Sequence, residues 1–127
     1  MTENNIPEEV TKFIADHIGS VELAEILLLL QEHPGQSWTV QQVNSHIRSS
    51  EASVTQRLND LLGRGFLTRT EEDEFLYSPK SEELAEGARL FLEAYKQRRI
   101  KVIELIFARP MDQVRIFSDA FRIRKPK

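Results

Sequence analysis

A chain of 127 residues is long enough for one hydrophobic core and too short for two comfortable domains. Its 40% hydrophobic and 29% charged content is that of a soluble globular protein, and the absence of cysteine excludes disulfides and thiolate metal sites. The net charge of -3 hides an asymmetry: residues 1–96 hold 8 basic and 17 acidic side chains, residues 97–127 hold 9 and 3.

Pro7 suits the first turn of a helix, where its missing N–H costs little, and Val10, Phe13, Ile14 and Ile18 follow at helical spacing. Gly19-Ser20 interrupts the pattern. Ser20 is a good N-cap for a second helix, Val21 to Glu32, with Glu22 well placed in its first turn. Ile26 to Leu30 makes that helix apolar nearly all round, so it is expected to be buried on more than one side. His33-Pro34-Gly35 ends it.

Ser37 to Thr39 reads as a short strand. Thr39 and Gln42 then form a capping box that opens a helix with Val40, Val43 and Ile47 as its core stripe. Arg48-Ser49-Ser50 is a turn, with either serine as the next N-cap. The helix after it, Glu51 to Leu62, is expected to bury Val54, Leu58, Leu61 and Leu62. At 100° per residue its opposite face holds Ala52, Ser53, Gln56 and Asn59, with Asp60 at the edge and Thr55 and Arg57 on the flanks. Gly63-Arg64-Gly65 closes this helix. Phe66 to Thr70 and Phe75 to Ser78 are strand-like, joined by the acidic tip Glu71-Glu72-Asp73-Glu74.

From Ser81 a long helical run begins. Leu84, Ala88, Phe91, Tyr95, Val102 and Ile106 form one stripe, widened by Leu92, Ile103 and Phe107. Pro110 breaks the run. A short amphipathic helix over Val114, Phe117, Ala120 and Phe121 is expected next, then the basic tail Arg122, Arg124, Lys125 and Lys127.

Strand, helix, turn, helix and hairpin over residues 37–79 is the order of a winged helix-turn-helix. The predicted fold is mainly α with a small β-wing (α+β), with N- and C-terminal dimerisation helices. One domain is expected over 1–127, with its core at 20–80, a helical extension at 81–121 and the tail at 122–127. The segment Ser53 to Arg69 resembles the recognition-helix-into-wing segment of bacterial MarR-like and ArsR-like regulators, through Val54, Leu58, Leu61, Gly65, Phe66 and Leu67. The resemblance implies a homodimer that places two recognition helices on one face of DNA. The chain departs from ArsR-type metal sensors in lacking cysteine, and from MarR-type wings in its acidic tip.

A sequence-specific DNA-binding transcriptional regulator, bacterial and cytoplasmic, is therefore the leading expectation. Ser53, Thr55, Gln56 and Asn59 carry groups that bond base edges. Arg48, Arg57, Arg64 and Arg69 are candidate phosphate clamps, which set register rather than sequence. Phe91, Tyr95, Val102, Ile103, Ile106 and Phe107 are the candidate dimer seam, because so apolar a stretch needs a cover. The competing expectation is a protein-interaction module that does not bind DNA itself and docks through the acidic wing or the basic tail.

Little points to catalysis. His17, His33 and His46 have no metal-ligand spacing, and no Gly-flanked nucleophile or Gly-rich phosphate loop occurs. No enzyme activity, cofactor or metal is expected. Met1 to Pro7 lacks the basic start of a signal peptide, and Ile26 to Leu30 is far short of the roughly 20 apolar residues that span a bilayer, so no membrane partner is expected.

Overall fold

The computed structural model describes residues 6–108, and within them the chain is mainly helical with one small antiparallel sheet. The expected helix at Val114 to Phe121 and the tail from Arg122 lie outside the described residues.

Helix α1 spans Glu8–His17, with Pro7 as its N-cap. It buries Val10, Phe13 and Ile14, and the chain leaves it through the extended, fully buried Ile18. Helix α2 spans Val21–Gln31. The Ser20 hydroxyl accepts from the Leu23 N–H at 3.0 Å, satisfying one of the orphan donors of a helix start. Six of the eleven side chains of α2 are buried, so it is enclosed on several sides as its composition demands.

Strand β1 is only Ser37–Trp38, because Thr39 caps helix α3, Val40–Ile47. Both halves of the capping box form: Gln42 N–H to the Thr39 hydroxyl at 3.1 Å, and Thr39 N–H to the Gln42 carboxamide at 2.9 Å. Ser50, not Ser49, caps helix α4, which runs Glu51–Arg64, two residues past the expected end. Gly63 is tolerated inside it, and Gly65 ends it with φ 93°. That left-handed turn suits glycine, and a Cβ there would meet the Lys80 side chain at 2.7 Å.

Strands β2, Leu67–Arg69, and β3, Phe75–Tyr77, form a hairpin, and β1 pairs with β3 on its other side, giving the order β1-β3-β2. Its tip closes through a Thr70 carbonyl to Asp73 N–H bond at 2.9 Å, with Asp73 left-handed at φ 68°.

The long C-terminal run divides. Helix α5 spans Glu82–Gln97 and α6 spans Arg99–Phe107, with Arg98 at φ -140°, ψ 59° between them. Neither Gly nor Pro marks this break. The turn brings α6 back against both α5 and α1, so Val102 and Ile106 enter the core instead of running past its end. A single core cluster joins all six helices and the sheet. Phe13 is one hub: its ring lies 5.8 Å from that of Phe66 and 5.5 Å from that of Phe91, in ranges where aromatic pairs attract.

Candidate nucleic-acid interface

Helix α4 packs its Val54, Leu58 and Leu61 side against α2, α3 and β2. Its other side carries the residues singled out for base contact, and the structure separates them into two groups. Gln56 and Asn59 are exposed and Thr55 is half-buried; among the described residues, none of these side chains has a hydrogen-bonding or ionic partner. Ser53 is different. Its hydroxyl lies 2.8 and 3.0 Å from the two carboxylate oxygens of Glu22 on α2 and donates its proton there.

The four arginines also divide. Arg57 Nε lies 3.9 Å from Glu22, an ion pair too long to be a hydrogen bond. The Arg64 Nε–H bonds Asp60 at 3.1 Å, while its Nη1 donates to the Asp16 carbonyl at 2.8 Å and meets His17 Nδ1 at 3.2 Å. That guanidinium therefore sits at the C-terminal end of α1, where a cation is favourable, and ties α1 to α4. Arg69 pairs with Asp73 at 2.6 Å and lies 4.7 Å above the Phe75 ring. Only Arg48 is left without a side-chain partner among the described residues.

Arg48 also has an unusual backbone. It terminates α3 at φ 65°, ψ 45°, a left-handed position that costs a side-chain-bearing residue about 1–2 kcal/mol. The Asn44 side chain holds the turn by accepting from the Ser49 N–H at 2.9 Å. The exposed arginine is thereby directed from the α3–α4 turn.

The acidic tip is less free than its sequence suggests. Glu74 accepts from the Ser37 hydroxyl at 2.6 Å, fastening the hairpin to β1, and Asp73 is taken by Arg69. Glu71 and Glu72 are the two exposed acids without such partners among the described residues.

Burial, then the Arg64 guanidinium, holds His17 below its ordinary 6.5, so the neutral ring accepts at Nδ1 near neutrality. His33 and His46 set their rings edge-on to Trp38, at 5.6 and 5.5 Å. Among the described residues no group of three His, Cys, Asp or Glu side chains is placed to hold a metal ion, and no helix is long and apolar enough to cross a membrane. Burial alone pushes the Tyr77 hydroxyl up to about 12.

Three candidate dimer residues are already covered: Phe91 and Val102 are 0% exposed and Ile106 is 4% exposed, all inside the chain's own core. Tyr95 is half-buried and bonds Glu25 at 3.3 Å. Phe107, at 72% exposure, and the half-buried Ile103 lie on the flank of α6, about 100° from Val102 and Ile106, in line with Ile100 at 71% exposure. Ile100 lies off the apolar stripe that runs through α5, yet it is among the most exposed large apolar side chains of the described residues.

By sequence Glu22 is a favourable first-turn acid of α2. Its link to Ser53 spans 31 residues, and no local pattern announces it. No protein family, curated protein or solved structure matches the chain.

Proposed function

We propose that the chain is a winged helix-turn-helix regulator that binds DNA as a homodimer, with α4 as the recognition helix and the β2–β3 hairpin as the wing. The observation that carries this reading is Arg48. An exposed cation with no side-chain partner among the described residues occupies a backbone position where glycine would be less strained, in the turn that leads into α4, the helix that carries Gln56 and Asn59. Strain of this kind is retained where the side chain has a task. In this reading Arg48 takes a phosphate, Gln56 and Asn59 bond base edges, and Thr55 assists from the flank.

Ser53, Arg57, Arg64 and Arg69 leave the contact set, because each already serves the fold. The outward row Ile100, Ile103 and Phe107 on α6 supports the dimer: removing two exposed large side chains from water favours association by roughly 1.5–3 kcal/mol each. Two α4 helices then meet half-sites about one helical turn apart, roughly 34 Å. The mechanism is steric, with the dimer occupying an operator and changing polymerase access.

The test is Gln56→Ala. The side chain is exposed and without a partner among the described residues, so the fold is spared, while affinity for the preferred duplex falls by roughly 1–3 kcal/mol per lost bidentate contact. Unchanged operator affinity contradicts the assignment.

A second reading is favoured by one observation. Glu71 and Glu72 form an exposed acidic point on the wing, and three of the four nearby arginines are neutralised by carboxylates. That surface suits a basic protein partner. Exchanging Glu71 and Glu72 for Ser separates the readings: DNA affinity rises or stays level in the first, and a protein partner is lost in the second. Asp73 and Glu74 are kept, since they hold Arg69 and Ser37.

A further inference from the structure

Ile100, Ile103 and Phe107 form a narrow row on α6, within about 60° of arc at 100° per residue. Ile100 and Phe107 are the most exposed large apolar side chains of the described residues, and Ile103 between them is half-buried. Val102 and Ile106 hold the neighbouring side of the helix in the core.

The chain runs on from the end of this row. Helix α6 stops at Phe107, Ala108 is its C-cap, and residues 109–127 follow. Pro110 forbids a straight continuation, because its ring would meet the Ile106 carbonyl and it has no N–H to bond it. Beyond it Val114, Phe117 and Phe121 stand at helical spacing, again within about 60° of arc. The two apolar sets are placed symmetrically about Pro110 in the sequence. Phe107 and Val114 are three and four residues from it, Ile103 and Phe117 seven each, Ile100 and Phe121 ten and eleven.

That is the register of an antiparallel helical hairpin whose connection is residues 108–111, inside the range of about two to five residues such hairpins use. As a helix, residues 112–121 span about 15 Å, enough to cover the roughly 10 Å from Ile100 to Phe107. A connection this short also holds the segment at a local concentration on the order of millimolar, which favours it over any separate molecule. We infer that residues 112–121 of the same chain dock antiparallel on the α6 row, with Phe117 against Ile103. The proposed dimer uses the same row, so a second copy gains it only when the segment lifts; the docking itself does not rest on that reading.

The chain has no cysteine, so an introduced pair reports the contact cleanly. In the full chain, Ile100→Cys with Phe121→Cys joins the far ends of the two rows, and Val114 and Phe117 remain to hold the segment. The control, Ile100→Cys with Asp119→Cys, puts the second thiol about 160° round the segment. Ile100 is exposed, so its replacement spares the fold. Oxidation is followed on non-reducing gels and by mass spectrometry. The expected result is an intrachain bond in the first pair, formed about tenfold faster than in the control. Equal rates in the two pairs overturn the docking, and a mainly interchain bond in the first pair overturns it in favour of a second copy's segment. Where the reduced form dimerises, the oxidised form is expected to associate about tenfold more weakly by sedimentation, and equal or tighter association overturns the competition.

Discussion

The Ser53 hydroxyl donates into the Glu22 carboxylate, 2.8 Å from one oxygen and 3.0 Å from the other, so an acid on α2 fixes the first turn of α4. The same carboxylate attracts Arg57 one turn later. Glu22 therefore removes one hydroxyl and one cation from the surface that faces outward. Glu22→Gln is expected to lower stability by about 1 kcal/mol, the size of a half-exposed charged hydrogen bond. It is also expected to free Arg57, steepening the dependence of log affinity for DNA on log salt by about 0.9 per protomer. Urea unfolding and anisotropy at several salt concentrations check both. A variant with native stability and an unchanged slope contradicts the role given to Glu22.

Arg48 makes the opposite prediction. Arg48→Gly relieves the left-handed strain at φ 65° and loses some unfolded-state restriction, for a net gain of about 0.5 kcal/mol. DNA affinity falls at the same time, and the salt slope drops by about one per protomer. Stability and binding moving in opposite directions is the signature. A variant that loses stability and keeps its DNA affinity contradicts it.

Arg64 predicts a purely structural loss. Its side chain satisfies the Asp16 carbonyl at the end of α1 and bonds Asp60 within α4. Arg64→Ala is expected to cost about 1–2 kcal/mol, read as a lower urea midpoint with an unchanged slope m. Arg64→Lys restores only part of it, because an ammonium cannot reproduce the fork that reaches three partners. Full rescue by lysine contradicts the geometry.

Much of this fold is legible in the sequence because its signals are local. The Thr39–Gln42 capping box, the caps at Ser20 and Ser50 and the glycine at residue 65 each act within a few residues and form as the spacing implies. The division of α5 from α6 is not legible, because Arg98 carries no breaker chemistry; tertiary packing of Val102 and Ile106 accompanies the turn. The candidate site is legible as a face and illegible as a set of free groups. Helical periodicity places Ser53, Gln56 and Asn59 outward, but only the fold brings Glu22 to Ser53 and the end of α1 to Arg64.

His17 gives a pH prediction. Burial and the charges of Arg64 and Lys12 lower its proton affinity, while Asp16 and Asp60 raise it, and the lowering prevails. The unfolded ring, near 6.5, then binds protons more readily than the folded one. The stability this group contributes is present in full above about pH 6.5 and is lost as pH falls through the lowered folded value. The difference in urea midpoint between the native chain and His17→Gln is expected to shrink from pH 7.5 to pH 5. A difference that stays constant contradicts this reading.

The measurement that bears most directly on the central claim is fluorescence anisotropy of the full chain against duplexes selected from a random pool, with the same titrations on Gln56→Ala. Selected duplexes are expected to bind on the order of a thousandfold tighter than unselected ones, with two half-sites about one turn apart, and that ratio is expected to collapse in the variant. Equal, weak binding of every duplex by both proteins would contradict it and leave the wing's exposed acids, Glu71 and Glu72, as the surface to pursue.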